Sequence, residues 1–398
     1  MTISEQECEG LLRIDLGAVA SNYRALRSRL VDRSRCGAVV KADAYGLGIE
    51  QVAPALYRAG CREFFVATLA EGKQLRAVLE SVFAESLAEA SAEELADPDT
   101  TREAVHIYLL TGLRPGCEAE CAAAGLIPVL VSVEQMLRWC QATADANGIA
   151  APCALKVDTG MTRLGMTTVE FHQLLQHKQL LAGANVQLFL SHLACADEAA
   201  HPQNRQQLNL FKDLLIKLRS LHPQVRASFA NSSGIYLGEE YHFDLVRPGS
   251  ALYGVNPTPA AINPMDAVVN LRLPVLQQRE IFADSAVGYG ATETVAAGSW
   301  LAVVRGGYAD GILRAQSGRG RGCAIIGDRR IEVPMIGRVS MDTSVFDISV
   351  LTAKQRTRLE IIEVLNESLT VDQMGVAADT IGYEILTSLG RRYCRVYG

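Results

Sequence analysis

The sequence predicts an α/β fold in which an N-terminal (β/α)8 barrel of the TIM type precedes a C-terminal domain built mainly from β-strands. From about residue 12 to 250, short apolar segments alternate with amphipathic segments, and polar or charged residues follow several of the apolar ones. After about residue 257, short strand-like segments dominate and are separated by Gly and Asp. We therefore expect residues 1–268 to form the barrel and residues 269–398 to form the β domain.

The predicted elements of the barrel follow one another as strand and helix. The strands are Gly37–Val40, Glu63–Val66, His106–Leu110, Leu126–Val131, Ala154–Val157, Val186–Leu190 and Ala227–Ala230. The helices include Gly17–Leu30, Ile49–Ala59, Ala70–Leu79, Val133–Ala144 and Asn204–Leu221. A doubly wound parallel sheet is the alternative, but no Gly-x-Gly-x-x-Gly fingerprint opens a helix after the first strand.

Short strands are predicted throughout the C-terminal part. They are Val275–Phe282, Ser299–Val304, Cys323–Ile326, Arg329–Met335, Thr343–Asp347 and Leu359–Ile362. The pair Gly327-Asp328 suits a two-residue hairpin turn between two of these strands. In the N-terminal part, the Ala/Glu-rich segment at about 83–104 predicts an acidic surface helix or insertion, with a binding device as the alternative.

Composition and charge restrict the class of protein. The chain has 398 residues, of which 49% are hydrophobic and 21% charged, as in ordinary globular proteins. A net charge of −6 argues against nucleic acid as a partner. Because the chain shows neither a membrane-length apolar run nor an apolar signal sequence at its start, we expect a cytoplasmic protein that does not engage a membrane.

Ten cysteines are expected to be reduced and mostly structural in that compartment. Cys117 and Cys121 are separated by three residues and are not followed by a Cys/His pair at zinc-site spacing. We therefore expect no metal site.

Lys41 carries the strongest functional signal in the sequence. It follows the apolar run Gly37–Val40 and precedes a Gly-rich loop. Burial at a strand end lowers the pKa of a lysine, and a neutral amine attacks an aldehyde to form a Schiff base. An exposed strand-end lysine is the simpler interpretation of this segment alone. However, Val-Val-Lys-Ala-Asp-Ala-Tyr-Gly-Leu-Gly closely resembles the pyridoxal-phosphate lysine motif of alanine racemases.

Other segments resemble the same family in the same order along the chain. They surround Lys156 and Arg163, His192, Asn231 to Gly234, Arg247 to Ser250, Tyr289, Tyr308, Met341 and Tyr383. The resemblance extends from about Leu12 to Tyr397 and covers both predicted domains. It therefore implies a fold III pyridoxal-phosphate enzyme.

The resemblance implies a set of residues that contact pyridoxal 5′-phosphate. They are Lys41, Tyr45, Arg163, His192, Asn231, Ser232, Arg247, Gly249, Ser250 and Tyr383. Small residues around Ser232 and Gly249 let backbone N–H groups approach a phosphate, although Asn-Ser-Ser-Gly also suits a helix N-cap. The family places an arginine, here Arg247, beside the pyridine nitrogen, which should then stay unprotonated and favour racemisation over transamination.

The resemblance also implies the residues of the reaction. Lys41 and Tyr289 are the two acid/base groups, and Tyr289 serves the active site of the partner subunit in a homodimer. Arg163, Met341, Tyr308 and Tyr383 are implied to contact the substrate, which is alanine. Lys156 corresponds to a lysine that is often carbamylated in the family, and His192 to a link between Arg247 and Tyr289.

We therefore expect an isomerase, an alanine racemase that interconverts L- and D-alanine with two bases on opposite faces of Cα. Its role is either to supply D-alanine for peptidoglycan or to degrade D-alanine. Two alternatives remain open at this stage. One is a racemase for serine or for a broader set of amino acids, and the other is a non-catalytic carrier of pyridoxal phosphate.

Overall fold

In the computed structural model, which describes residues 10–89 and 104–398, ten strands belong to the N-terminal part of the chain. They are β1 (Leu11–Ile14), β2 (Arg35–Cys36), β3 (Ala38–Val39), β4 (Glu63–Val66), β5 (His106–Leu109), β6 (Ile127–Leu130), β7 (Pro152–Lys156), β8 (Asn185–Leu190), β9 (Arg226–Ser228) and β10 (Leu245–Val246). All except β1 form one parallel sheet in the order β2-β10-β9-β8-β7-β6-β5-β4-β3.

This parallel sheet closes on itself at Gly37. The residues on either side of Gly37 form β2, which pairs with β10, and β3, which pairs with β4, so one interrupted strand joins both edges of the sheet. The Gly37 N–H donates to the carbonyl of Val246 at 2.9 Å. A Cβ atom at position 37 would lie 2.9 Å from the Glu63 carbonyl oxygen, so the closure requires glycine. The barrel prediction is confirmed, and the doubly wound alternative is wrong.

Apart from the left-handed turn Lys41–Tyr45 and three short 3-10 helices, eight α-helices of the N-terminal part are described. They are α1 (Leu16–Arg27), α2 (Ile49–Arg58), α3 (Leu69–Glu89), α4 (Glu118–Ala123), α5 (Val133–Thr143), α6 (Thr168–Gln176), α7 (Lys178–Gly183) and α8 (Pro202–Arg219). Several begin at a capping side chain, as where the Asp15 carboxylate accepts the Ala18 N–H at 2.8 Å. Helix α3 extends ten residues past the predicted end at Leu79, and most of the predicted acidic insertion at 83–104 lies outside the described residues.

The C-terminal part contains a second, mainly antiparallel sheet. The strands of the C-terminal part are β11 (Val269–Glu280), β12 (Ser285–Val287), β13 (Glu293–Val295), β14 (Trp300–Arg305), β15 (Arg321–Ile326), β16 (Arg329–Ile336), β17 (Thr343–Asp347), β18 (Ile361–Leu365) and β19 (Cys394–Tyr397). The helices of this part are α9 (Ala353–Arg356), α10 (Val371–Ala377) and α11 (Gly382–Ser388). The sheet order is β14-β17-β16-β15-β18-β11-β1-β19, while β12 and β13 form a separate hairpin. The predicted turn at Gly327-Asp328 is confirmed, because Ile326 pairs with Arg329.

Strand β1 departs from the predicted division of the chain. It pairs antiparallel with β11 and parallel with β19, so residues 11–14 belong to the second sheet although they begin the chain segment assigned to the barrel. Leu12 and Ile14 are buried whereas Arg13 is exposed, and this alternation suits a sheet with one solvated face. The boundary near residue 268 stays a prediction.

The cysteines are mostly free thiols, as expected. The free thiols are Cys36, Cys61, Cys117, Cys121, Cys140, Cys153, Cys195 and Cys323. Cys394 is disulfide-bonded, so the expectation of reduced cysteines is wrong at this residue. Within residues 10–89 and 104–398, no cluster of three or more His, Cys, Asp or Glu side chains is arranged to hold a metal ion. None of the helices in this part of the chain is long and apolar enough to cross a membrane.

Four phenylalanine rings join the barrel wall to the surrounding helices. Phe189 of β8 lies 5.3 Å from Phe171 of α6 and 5.2 Å from Phe211 of α8, and Phe211 lies 4.8 Å from Phe229, all measured between ring centroids. All four rings are fully buried. Because each ring contacts the next, this row couples α6 and α8 to two adjacent strands.

Replacing Phe211 by Ala should therefore lower the free energy of unfolding by about 3–5 kcal/mol, because it removes a buried ring and leaves a cavity. The measurement is the urea midpoint and slope of the purified variant. Ile216→Ala, on the exposed face of the same helix α8, is the matched control and should change stability by less than about 0.5 kcal/mol. Equal effects of the two substitutions would contradict the packing role of Phe211.

Candidate active site

A cavity of about 870 Å³ lies at the carboxyl ends of the barrel strands. This end of a parallel barrel is where such folds place their functional residues. Eleven of the sequence-predicted site residues line the cavity, namely Lys41, Tyr45, Lys156, Arg163, His192, Asn231, Ser232, Arg247, Gly249, Ser250 and Tyr383. Ten of these residues come from five different strand ends, although they are separated by up to about 200 positions in the barrel sequence, and Tyr383 comes from helix α11.

The backbone after Lys41 forms a left-handed turn. Ala42, Asp43, Ala44 and Tyr45 have φ values between 52° and 57°, a region that non-glycine residues rarely adopt. Each such residue costs roughly 1–2 kcal/mol, so this turn persists only because its surroundings hold it. The turn carries both Lys41 and Tyr45 into the same cavity. The sequence predicted a Gly-rich loop here and missed the left-handed conformation.

Glu71, in the first turn of α3, holds this backbone in place. One carboxylate oxygen accepts the Ala42 N–H at 2.9 Å, and the other accepts the N–H groups of Ala67 at 2.7 Å and Thr68 at 3.2 Å. Thr68 in return accepts the Glu71 N–H at 3.3 Å, which completes a capping box at the start of the helix. The cap of α3 is thus also the anchor of the turn beside Lys41. Sequence reasoning missed Glu71, although the Thr-Leu-Ala-Glu pattern before an apolar run signals a capping box.

The environment of Lys41 favours its neutral amine. Burial lowers the pKa of Lys41, and the nearby Arg163 lowers it further, whereas the Glu71 carboxylate raises it. The predicted shift in pKa is therefore present in the structure, with Arg163 as a second cause. A neutral lysine amine acts as a nucleophile or as a base.

Lys156 lies deeper in the cavity, at the end of β7. It is 6% exposed, and burial together with the charges of Arg247 and Arg163 lowers its pKa to about 8. A sizeable fraction of this amine is therefore neutral near pH 8. The Asp158 carboxylate opposes the shift only in part.

Arg247 is the most deeply buried cation of the site. It is 3% exposed and donates to the Ser228 hydroxyl and to the Ser191 carbonyl, both at 2.5 Å. Burial lowers its pKa to about 9, so the guanidinium is charged at neutral pH. These hydrogen bonds fix the guanidinium, which follows β10, against the ends of β8 and β9.

His192 follows β8 and faces this group of cations. Burial, and then the charges of Arg247 and Lys156, hold the pKa of His192 well below its usual range, so the imidazole is neutral. Its backbone carbonyl accepts the Gln207 side-chain N–H at 2.9 Å, which ties the loop to α8. The predicted proximity of His192 and Arg247 is present in the structure.

Small residues and backbone N–H groups form one wall of the cavity. The Ser232 hydroxyl accepts the N–H groups of Gly249 at 3.0 Å and Ala251 at 3.3 Å. A Cβ atom at position 249 would lie 2.4 Å from the Tyr45 hydroxyl oxygen, so only glycine fits there. The Asn231 side chain accepts the Gly234 N–H at 2.9 Å, which is the helix-capping contact considered from the sequence.

Two tyrosines close this wall. The Tyr45 and Tyr383 ring centroids lie 6.2 Å apart, and Tyr45 packs at 4.8 Å against Tyr253. Burial raises the pKa of Tyr383, while a hydrogen bond with Ser250 opposes that shift. Both phenols therefore stay protonated at neutral pH and present hydroxyl groups to the wall that Ser232 and Gly249 form.

Three predicted site residues do not line the cavity. Tyr289, Tyr308 and Met341 belong to the second domain, and their exposed fractions are 68%, 43% and 53%. The described residues of a single chain therefore leave these three side chains at the surface. Conversely, Leu110 and Thr111 after β5 line the cavity and were missed, although their place at a strand end was a signal.

The structure combines a barrel that carries a lysine at a strand end, a cationic cavity and a following β domain. This combination is the one expected of the fold III class of pyridoxal-phosphate enzymes. Within that class, the family pattern described as alanine racemase, N-terminal domain, matches residues 14–257, and the pattern described as alanine racemase, C-terminal domain, matches residues 268–397. The chain belongs to the alanine racemase family.

Individual relatives agree over the full length. The chain is 45% identical to an alanine racemase of Rhodospirillum rubrum, over 99% of this chain and 97% of the relative. It is 43% identical to a catabolic alanine racemase of Mesorhizobium japonicum, over 99% of this chain and 95% of the relative. The crystal structure of the Bartonella henselae alanine racemase with covalently bound pyridoxal phosphate superposes with a TM-score of 0.85 at 37% identity, covering 98% of this chain and 99% of that one.

Glu71→Ala should loosen the turn after Lys41, because three backbone N–H groups lose a charged acceptor. We expect amide hydrogen exchange in residues 42–47 to become at least about tenfold faster, which corresponds to about 1.4 kcal/mol of local stability. Glu71→Gln, which keeps one acceptor oxygen, should give a smaller acceleration. Glu80→Ala, an exposed position on the same helix, is the control, and unchanged exchange in Glu71→Ala would refute the anchoring role.

Proposed function

We propose that this protein is a pyridoxal 5′-phosphate-dependent racemase that interconverts L-alanine and D-alanine. The observation that carries the proposal is the meeting of Lys41, Arg163 and Arg247 in one cavity with the Ser232–Gly249 wall. An amine, two guanidinium groups and a small-residue wall supply what an aldehyde-bearing, phosphorylated aromatic cofactor needs. Membership of the alanine racemase family supports the same activity.

The residues present fit this cofactor. Gly249 leaves room for the Tyr45 hydroxyl at the cavity wall. The N–H groups of Gly249 and Ala251 donate to the Ser232 hydroxyl oxygen, and a phosphate bound here would take up these donors. Lys41 would hold the aldehyde carbon, and Arg247 would lie against the pyridine nitrogen. When bound, the cofactor supplies an electron sink for the pair of electrons left on Cα. Because the Arg247 guanidinium stays charged at neutral pH, it would donate to that nitrogen without protonating it, which would weaken the cofactor as an electron sink.

Lys41 and Tyr289 then act as the two acid/base groups. The lowered pKa of Lys41 provides a neutral amine that accepts a proton from one face of Cα. Inversion requires a proton from the opposite face, and Tyr289 is the group we assign to that face. A single base would return the proton to the face from which it came and regenerate the starting enantiomer.

Arg163 and Met341 are assigned to the substrate carboxylate, which suits a planar guanidinium and a backbone N–H group. Tyr383, together with Tyr308 brought in by the partner subunit, would narrow the space beside them, and this would favour alanine over serine or larger amino acids. We further propose that Lys156 is carbamylated. Its buried amine with a pKa of about 8 is available to carbon dioxide, and the anionic product would balance Arg163 and Arg247.

The exposure of Tyr289, Tyr308 and Met341 supports a homodimer with shared active sites. In a two-fold dimer, each second domain would cover the partner's barrel and bring these side chains to the partner's cavity. We also propose that the protein works in the cytoplasm, in agreement with the eight free thiols among the described residues, with Cys394 as the exception.

The activity is tested by incubating the cofactor-loaded protein with L-alanine in heavy water, and the product is analysed by chiral chromatography and mass spectrometry. We expect D-alanine that carries deuterium at Cα, because both bases exchange protons with solvent. Neither inversion nor deuterium, despite bound cofactor, would refute the alanine assignment. Serine and larger amino acids are then the next substrates, and a carrier would exchange with none of them.

The shared site is tested by mixing two inactive variants under subunit exchange. Lys41→Ala and Tyr289→Phe should each abolish inversion, whereas an equal mixture should recover about one quarter of the wild-type activity. Half of the dimers are then mixed, and one of their two sites combines an intact Lys41 with an intact Tyr289. The control is the double variant mixed with Lys41→Ala, which should stay inactive. An inactive mixture of the single variants, despite confirmed exchange, would show that Tyr289 acts within its own chain.

A further inference from the structure

A second cavity, of about 360 Å³, lies at the amino-terminal end of the barrel, opposite Lys41. Three arginines line it: Arg27 ends α1, Arg35 begins β2 and Arg62 directly precedes β4. We propose that this cavity binds a small multivalent oxyanion, with phosphoryl or carboxylate groups held by the three guanidinium groups. Its volume lies within the range of small-molecule sites.

The acidic residues of the cavity do not balance these cations. The two that line it are Glu63 and Asp32. Glu63 is 1% exposed and already bound by Arg226 of the barrel interior, whose Nη1 lies 2.6 Å from Oε1. Burial opposes the ionisation of Glu63, yet His106 and Arg226 hold its pKa at about 2. Glu63 is shared with Arg35, whose Nη1 lies 3.8 Å from Oε1, and Asp32 is exposed. Within the described residues, Arg27 and Arg62 are therefore the cavity arginines without a carboxylate partner.

Arg62 is held in position before any ligand arrives. Its Nη1 donates to the carbonyl oxygens of Tyr57 and Cys61, each at 2.9 Å, and its guanidinium carbon lies 4.1 Å from the centroid of the Tyr57 ring. Within the described residues, its Nη2 has no hydrogen-bond partner. A guanidinium fixed in this way loses little entropy when it binds an anion.

Arg27 is the cation with the most unused capacity. Across residues 10–89 and 104–398 it makes no hydrogen bond and no ion pair, and its Nη1 passes close to Gly60 at the cavity wall. The guanidinium fork matches the oxygen spacing of phosphate and carboxylate groups. Because the whole chain carries a net charge of −6, general attraction for anions is absent, and anion affinity at this end of the barrel must come from the local arginines.

A bound anion would connect elements that meet only at this end of the barrel. It would bridge the end of α1, the loop after α2 and the starts of β2 and β4, including the interrupted strand that closes the barrel at Gly37. Binding to the folded state alone raises its stability by mass action, so occupancy should raise the unfolding temperature.

The test is calorimetric titration of inorganic pyrophosphate, and separately of citrate, into the cofactor-loaded full chain at constant ionic strength. We expect saturable binding of one anion per chain and a rise in unfolding temperature. Tighter binding of pyrophosphate assigns phosphoryl ligands and tighter binding of citrate assigns carboxylate ligands, and either result supports the proposal. Because the readout is binding rather than racemisation, the outcome is independent of the proposed activity.

Two variants locate the binding. Arg27→Gln and Arg35→Gln should each weaken binding, which means that the dissociation constant rises at least about tenfold. The matched control is Arg24→Gln, an exposed arginine one turn earlier on α1 that does not line the cavity, and it should leave binding within about twofold of wild type. Non-saturable heats with both anions, or equal losses in all three variants, would overturn the proposal.

Discussion

The rest of the site depends on the burial of several cations in one cavity. Lys41, Lys156, Arg163 and Arg247 all line the space at the carboxyl end of the barrel. Burial lowers the pKa values of Lys41, Lys156 and Arg247, and the neighbouring cations lower those of Lys41 and Lys156 further. A site with this charge has two effects at once. It attracts a ligand with a phosphate and a carboxylate, and it keeps an amine neutral for chemistry.

Such a cavity needs a rigid scaffold, since repelling groups separate wherever the backbone allows. The barrel supplies it by closing through one interrupted strand at Gly37, where a side chain cannot fit. The left-handed turn after Lys41 supplies the rest, held by Glu71 through the cap of α3. Strain in the turn and repulsion in the cavity are both costs that local hydrogen bonds and the packed barrel offset.

Features that depend on hydrophobic periodicity and on strand ends could be predicted from the sequence. Buried strands such as Glu63–Val66 were found with their observed bounds, and residues placed just after strands met in one cavity, as a parallel barrel requires. The place of β1 in the second sheet could not be predicted, because a four-residue strand pairs according to tertiary contacts rather than its own pattern. The positive φ at Ala42 could not be predicted either, since alanine has no preference for left-handed geometry and the Glu71 contact that helps to hold it is tertiary.

The two ends of the barrel show how a charge retained for structure differs from one retained for a ligand. At the amino-terminal end, the buried Glu63 carboxylate is matched by Arg226, which also donates to the Tyr108 hydroxyl at 2.7 Å, so each charged group has its partner inside the protein. At the carboxyl end, Lys156 is buried among other cations. A buried charge that has a partner of opposite sign needs no ligand. A buried charge that is surrounded by like charges is costly, and a bound ligand of opposite charge supplies the missing partner. By that criterion the charges around Lys41 belong to a binding site. The criterion does not extend to Arg27, which is exposed, and the assignment of Arg27 to a ligand rests instead on its place in the cavity beside Glu63.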